Sequence, residues 1–238
     1  MEKKRAAQQL SLIELPRRKP AATKSSAPKT AATTVPAGNV YELKVTLVGA
    51  RPSVWRRLQV HADVTLRRLH EVLQVAMGWD NMHLYEFGVG SRRFAEPEPD
   101  SLLAQLYGKR SNDSRAFTLR EVAPAVGTKL TYLYDFGDCW RHAIVVEDIH
   151  AEVSGVVYPV CVAGRNACPP EDCGGAGGYA MMLEALKDPD HPGAEEWAAW
   201  AGPSFLPGRF DVADANRQLA GFTGVGKKSR PTVKRPRG

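Results

Sequence analysis

The sequence has few cysteines and no long apolar run, which argues against a disulfide-stabilised scaffold and against a membrane-spanning protein. Four cysteines among 238 residues are too few for a disulfide scaffold of this length, so clustered thiols here are expected to bind a metal or to lie buried. No segment approaches the roughly 18 apolar residues of a membrane span. The first five residues, Met1 to Arg5, are not followed by the apolar segment of a signal peptide. We therefore expect a cytoplasmic protein without a membrane partner.

Acidic residues are scarce at both ends of the chain. Residues 1–39 carry eight Lys or Arg and two Glu, residues 223–238 carry six Lys or Arg and no acid, and residues 40–222 carry 18 basic and 24 acidic side chains. Neither end segment has enough apolar surface to offset the entropy of ordering, so we predict two disordered basic tails around a single domain at 40–222. The tails are suited either to salt-sensitive nucleic-acid binding or to solubilising the chain.

Alternating apolar residues predict strands in the first half of the domain. The segments around Tyr41 to Leu47 and Val54 to Val60 have the period of two that is typical of a half-buried hairpin. Apolar residues from Leu66 to Met77 then recur at helical spacing, with Thr65 or Asp63 as the N-cap and Gly78 as the stop. A further strand is predicted from about His83 to Val89.

The second half predicts another hairpin followed by helices. Leu130 to Phe136 and Trp140 to Ile149 alternate on either side of a turn at Gly137. Helical spacing returns in three segments, Tyr179 to Leu186, Ala194 to Trp200 and Asp211 to Leu219. The order predicts an α+β fold: a mixed sheet of hairpins with a packed helix, compatible with a β-grasp-like core, and a helical C-terminal cover.

Three cysteines lie close together in a segment rich in proline and acid. Cys161, Cys168 and Cys173 are spaced by seven and five residues, unlike the two-residue spacing of zinc ribbons, but a loop could bring them together. A histidine, His83 or His142, could complete a tetrahedral site for a divalent metal such as zinc. The alternatives are that the thiols are small buried groups in a tight corner or that they have a redox role.

Polar residues around the second hairpin form another candidate pocket. Trp140 and His142 project to one face of a strand, so an indole and an imidazole could line one pocket. Carboxylates and imidazoles at strand ends suit divalent metals or acid–base catalysis. Turn formation and internal hydrogen bonding explain the same residues equally well. The candidates are His83, Tyr85, Asp135, Asp138, Trp140 and His142.

The glycine run 174–178 precedes a predicted helix and could present backbone N–H groups to a phosphate. It lacks the Lys-Ser/Thr ending of a P-loop and the preceding strand of a dinucleotide-binding fold. We therefore interpret the run as a flexible turn.

Five motifs together resemble the plasmid pRiA4b ORF-3-like family, and the resemblance covers roughly residues 40–222. They are Tyr134 to His142, Tyr158 to Cys161, Cys168 to Gly175 with Tyr179, Asp188 to Pro192, and Phe210 to Asn216. The resemblance implies an α+β fold and an association with plasmids and transposons, but no established activity. Some family members are labelled as resolvases, yet the sequence has no serine-recombinase pattern.

Two functional hypotheses follow from the sequence. The first is an accessory or binding module of plasmid- or transposon-associated type, with a nucleic-acid or protein partner. The alternative is a metal-dependent enzyme that uses the cysteine loop or the Asp/His hairpin.

Overall fold

A computed structural model describes residues 39–97 and 111–222, so the two predicted basic tails lie outside the described residues except for Asn39. Strands and helices alternate along this part of the chain. In chain order they are β1 (Val40–Leu47), β2 (Trp55–His61), α1 (Leu66–Met77), β3 (Tyr85–Val89), β4 (Arg92–Ala95), β5 (Asn112–Asp113), α2 (Leu119–Val122), β6 (Lys129–Tyr134), β7 (Trp140–His150), β8 (Val160–Arg165), α3 (Gly175–Ala185), α4 (Ala194–Ala201), α5 (Val212–Leu219) and a 3-10 helix at Ala220–Phe222.

The strands of the described chain form one sheet in the order β5-β4-β3-β6-β7-β1-β2-β8. Neighbouring strands are antiparallel except for the parallel pair β4 and β5, so the sheet is mixed. The predicted α+β class is confirmed, and so is the order of hairpin, crossing helix and further strands.

One face of the sheet carries the core. In register, Leu43 pairs with Leu58 and Val45 with Ile144, and all four side chains are fully buried. On the other face, side chains such as Lys129 and Arg141 are exposed. This is the alternation expected of an antiparallel sheet with one solvated face.

Helix α1 covers the buried face and is capped as the sequence predicts. The Thr65 side chain accepts a hydrogen bond from the Arg68 backbone N–H, and Gly78 ends the helix with φ of 88°. Two buried polar side chains of α1 meet the sheet, because His70 Nδ1 and Gln74 Nε2 each lie 2.8 Å from the hydroxyl oxygen of Tyr132. These contacts satisfy polar groups that burial would otherwise penalise.

Strand β3 begins at Tyr85, two residues later than the sequence predicts. The backbone N–H groups of Met82 and His83 donate to the hydroxyl of Tyr134 instead of to a neighbouring strand. His83 therefore lies in the loop before the strand.

The C-terminal helices complete the core. Tyr179 and Met182 of α3 and Leu219 of α5 are buried with the core residues of the sheet. Asn216 of α5 also pairs with the edge strand β8, because its side chain accepts from Cys161 N at 2.7 Å and donates to Cys161 O at 2.8 Å. The helix thus satisfies backbone groups that an edge strand would leave open.

The glycine run belongs to helix α3, so its interpretation as a flexible turn was wrong. Gly174 is the N-cap with φ of 86°, and the helix proper starts at Gly175. Two of the glycines let other backbone segments pack closely against the helix. A Cβ at Gly175 would clash with the carbonyl oxygen of Asp138, and a Cβ at Gly178 would clash with the carbonyl oxygen of Cys173.

No helix within residues 39–97 and 111–222 is long and apolar enough to cross a membrane.

Candidate divalent-metal site

Three loops meet at one end of the sheet and bring together an imidazole and two carboxylates. His83 comes from the loop before β3, Asp135 from the turn between β6 and β7, and Asp172 from the segment between β8 and α3. One ligand atom from each of the three residues lies within 4.8 Å of the others. Among the described residues this is the one group of His, Cys, Asp and Glu side chains close enough to hold a metal ion.

The distances in this group leave room for an ion. His83 Nε2 lies 3.1 Å from Asp172 Oδ1 and 3.9 Å from Asp135 Oδ2. Although Nε2 is shielded from solvent, it makes no hydrogen bond to any described residue, so the close contact with Asp172 is not aligned as one. The ring nitrogen thus lies within ion-pair distance of both carboxylates but makes no aligned hydrogen bond to either.

Both aspartates of the group have a left-handed backbone conformation. Asp135 has φ of 55° and Asp172 has φ of 56°, a conformation that aspartate adopts more readily than most residues. Asp135 is only 7% exposed, and its Oδ1 accepts a hydrogen bond from Gly137 N at 2.8 Å. Its backbone N–H donates to Leu84 O at 2.9 Å, which fixes the turn beside the His83 loop.

Tyr134 joins the His83 loop to the Asp172 segment. Its hydroxyl accepts from the backbone N–H groups of Met82 and His83 and donates to Glu171 Oε1 at 2.5 Å. Burial, followed by the bond to Glu171, raises the pKa of Tyr134. The phenol therefore stays protonated and keeps one carboxylate oxygen of Glu171 engaged, next to Asp172.

The predicted pocket residues divide between the site and the core. His83 and Asp135 lie in the site, whereas Trp140 and His142 are each 1% exposed and lie in the core. Burial lowers the pKa of His142 to about 4. Tyr85 is also buried, and its ring stacks on His70 with the ring centroids 3.7 Å apart.

Asp138 connects the hairpin turn to helix α3. Its Oδ2 accepts a hydrogen bond from the backbone N–H of Gly174, the N-cap, at 3.1 Å. A carboxylate at the N-terminus of a helix is stabilised by the positive end of the helix dipole. Asp138 therefore has a structural role beside the site.

The three predicted metal-binding cysteines do not form a compact ligand group of the kind that the imidazole and carboxylates form. Cys161 and Cys173 are buried, Cys168 is partly buried, and all three are free thiols. Burial raises the pKa of each thiol, to about 12 for Cys173, with the neighbouring Asp138 adding to the effect. The thiols are therefore protonated at neutral pH without a metal, so they are not spontaneously reactive nucleophiles.

Sequence reasoning did not single out Asp172 as a candidate ligand or Tyr134 as the hydrogen-bond partner of Glu171. Asp172 entered the sequence argument only as an acidic neighbour of the cysteines. The sequence feature that could have identified Asp172 is the acidic pair between Pro170 and Cys173. This pair lies in a segment too short and irregular for a helix or strand.

Comparisons with known proteins agree with this architecture. A curated relative, the uncharacterized protein y4hQ of Sinorhizobium fredii (strain NBRC 101917 / NGR234), is 41% identical over 179 residues, which are 75% of this chain and 87% of the relative. The crystal structure of a protein of unknown function, MM3350 from Methanosarcina mazei Go1, matches with a TM-score of 0.66 and 34% identity, over 74% of this chain and 95% of that chain. The family model described as plasmid pRiA4b ORF-3-like protein matches residues 39–214. The chain therefore belongs to the plasmid pRiA4b ORF-3-like family.

Proposed function

We propose that the protein binds a divalent cation through His83, Asp135 and Asp172 and that this centre supports metal-dependent hydrolysis. The observation that carries the proposal is the convergence of the three ligand atoms within 4.8 Å of one another. One imidazole nitrogen and two carboxylates suit borderline and hard divalent ions such as Zn²⁺, Fe²⁺ and Mn²⁺.

The number of ligands supports a catalytic centre over a structural one. Structural zinc sites are closed by four protein ligands, whereas catalytic sites keep a position open for water or substrate. Asp172 has 60% of its side-chain surface accessible, so the centre is open to solvent on the side of Asp172, although His83 Nε2 itself is shielded.

Glu171 is the proposed general base of this centre. Tyr134 holds one of its carboxylate oxygens, and the chain places it directly before Asp172. The second oxygen could accept a proton from a water molecule at the open position, as a positioned carboxylate does in hydrolysis. In this proposal Tyr134 positions the base and does not itself exchange a proton, because its pKa is raised.

Calorimetric titration of the chelator-treated full chain with Mn²⁺ and with Zn²⁺ tests the metal site. We expect one ion per chain, with binding weakened at least tenfold in His83→Gln and in Asp135→Asn. The matched controls are His150→Gln and Asp148→Asn, whose side chains lie on β7 away from the cluster. Equal binding by all four variants would locate the ion elsewhere, and circular dichroism spectra show whether each variant is folded.

The charge segregation favours a second candidate, an accessory module that binds nucleic acid through its basic ends. Together residues 1–39 and 223–238 hold 14 of the 32 basic residues, while residues 40–222 are net acidic. Replacement of Lys227, Lys228 and Arg230 by Gln should weaken binding to a DNA duplex and reduce its salt dependence. Unchanged binding and salt dependence would contradict a role for the C-terminal segment.

A further inference from the structure

Large apolar side chains are exposed around the proposed metal centre. Met82 is 76% exposed, Leu84 44%, Phe136 44% and Trp200 55%. Met82 and Leu84 flank His83, and Phe136 follows Asp135. The Trp200 indole N–H donates to the backbone oxygen of Glu171 at 3.3 Å, so the indole lies beside the segment that carries Asp172.

We call these four residues the apolar rim. Isolated exposed apolar residues are ordinary, but several around a polar centre are typical of a binding site in which apolar walls orient a ligand and polar groups fix it. Each rim residue adjoins a metal-ligand residue in sequence or contacts the residue next to one. A ligand the size of a nucleotide, held at the centre, is expected to reach Trp200, whose indole is hydrogen-bonded to the residue before Asp172.

A divalent ion at this centre would bind an oxyanion as a further ligand. Oxygen donors such as phosphate complete the coordination of the hard divalent ions that carboxylates bind. Without the ion, Asp172 and the neighbouring Glu171 and Asp138 would repel an anion. Binding of a phosphate at this place must then depend on the metal.

The aromatic residues of the apolar rim suit a ligand that contains a flat ring. The exposed rings of Phe136 and Trp200 offer faces on which a nucleobase can stack, and such stacking tolerates any base because every base has a π-face. A flat aromatic base therefore fits these two exposed rings better than an apolar peptide does.

We infer that the site binds a nucleoside phosphate, with the phosphate at the metal ion and the base against Trp200 and Phe136. The inference rests on the proposed function, because the phosphate is held through the metal. The same chemistry is offered by a free nucleotide and by a single strand of nucleic acid.

Titrations of the full chain with four small or polymeric probes test this inference in the presence of saturating Mn²⁺. The probes are AMP, ribose 5-phosphate, an oligothymidylate and an abasic oligonucleotide of equal length. We expect AMP to bind about tenfold more tightly than ribose 5-phosphate, or the oligothymidylate about tenfold more tightly than its abasic counterpart, which is the usual size of one stacked base. Chelation of the metal should abolish the AMP binding.

Variants of the rim separate the ring contact from the metal contact. Trp200→Ala should remove most of the tenfold preference for AMP over ribose 5-phosphate while Mn²⁺ binding is unchanged, and Trp200→Phe should restore part of it. Val157→Ala is the matched control, because Val157 is 64% exposed but follows the far end of β7 from the site. It should leave the preference intact.

The outcomes distinguish the two levels of the proposal. Absence of Mn²⁺ binding would overturn the proposed function together with this inference. Normal Mn²⁺ binding with no preference for either base-bearing probe, or a preference that survives Trp200→Ala, would overturn this inference alone. If AMP is preferred over ribose 5-phosphate more strongly than the oligothymidylate is over its abasic counterpart, the inference is supported and the natural ligand is a free nucleotide. If the oligothymidylate shows the stronger preference, the inference is supported and the natural ligand is a single strand of nucleic acid.

Discussion

The indole nitrogen of Trp79 lies 2.9 Å from the carbonyl oxygen of Pro169 and donates a hydrogen bond to it. Trp79 follows helix α1 and is 6% exposed, and its ring stacks on that of Tyr134 with the centroids 5.0 Å apart. This bond ties the segment that carries Asp172 to the core. The position of one proposed metal ligand therefore depends on a buried tryptophan that is not itself a proposed ligand.

Trp79→Phe should loosen that segment. The variant keeps an aromatic ring but leaves the Pro169 carbonyl without its donor, so we expect a loss of about 1–3 kcal/mol in the free energy of unfolding. Weaker Mn²⁺ binding should accompany it. Urea denaturation and calorimetry measure both effects, and Trp55→Phe, on the partly exposed β2 position, is the control that should change neither by much.

Gly178→Ala and Gly177→Ala form a matched pair within helix α3. A Cβ at Gly178 would come within 2.8 Å of the carbonyl carbon of Cys173, whereas one at Gly177 would meet nothing within 4 Å. We expect Gly178→Ala to destabilise the protein by roughly 1–3 kcal/mol through overpacking. Gly177→Ala should instead stabilise it by about 0.5–1 kcal/mol through helix propensity. Equal melting temperatures for the two variants would contradict the close approach.

The two arginines near the start of β2 should respond differently to substitution by lysine. Arg56 is 1% exposed, and its guanidinium donates to Ala76 O at 2.8 Å and to Arg165 O at 3.1 Å. Its guanidinium also stacks on Phe210, 3.6 Å from the ring centroid. Lysine cannot reproduce this set, so Arg56→Lys should cost about 2–4 kcal/mol of stability. Arg57→Lys, at a partly exposed ion pair with Glu147, should cost less than about 1 kcal/mol.

Stability should fall as the pH drops below about 6.5, where an unfolded chain protonates its histidines. Burial lowers the pKa of both His70 and His142 to about 4, so the folded state leaves them neutral over this range. The unfolded state then binds protons that the folded state does not, and each histidine should account for a loss of about 2 kcal/mol at pH 5. The stability contributed by the neutral rings is fully present above pH 6.5.

His142→Phe tests this pH dependence. Phenylalanine matches the packing between Trp79 and Tyr132, whose ring centroids lie 5.4 and 5.1 Å from that of His142, and it cannot be protonated. The decrease in unfolding free energy between pH 7 and pH 5 should be smaller than in the unsubstituted protein by about 2 kcal/mol. Identical pH profiles would show that His142 is not protonated on unfolding in this range.

Local patterns predicted much of the fold because the elements follow from local chemistry. The alternation of Tyr41 to Leu47 identifies a strand with one buried face, and Thr65 and Gly78 mark the two ends of α1. Both signals depend on neighbours in sequence, so no tertiary information is needed. The glycine run was misjudged because low helix propensity was outweighed by tertiary packing against Cys173 and Asp138.

The site was predictable only in part. His83 and Asp135 stood out as polar residues beside strands, but the pairing with Asp172 depends on how the segment after β8 folds back over the hairpin. That path is fixed by contacts distant in sequence, such as the bond between Trp79 and Pro169. Burial of Trp140 and His142 likewise follows from tertiary packing, because both rings contact Trp79, and a period of two cannot reveal such a contact.

The position of a bound ion is the most direct test of the central claim. Crystals of the full chain soaked in Zn²⁺ and measured at the zinc absorption edge should show one strong anomalous peak about 2.0–2.2 Å from His83 Nε2 and from a carboxylate oxygen of both Asp135 and Asp172. A peak among Cys161, Cys168 and Cys173 instead, or no peak at the three proposed ligands, would contradict the account.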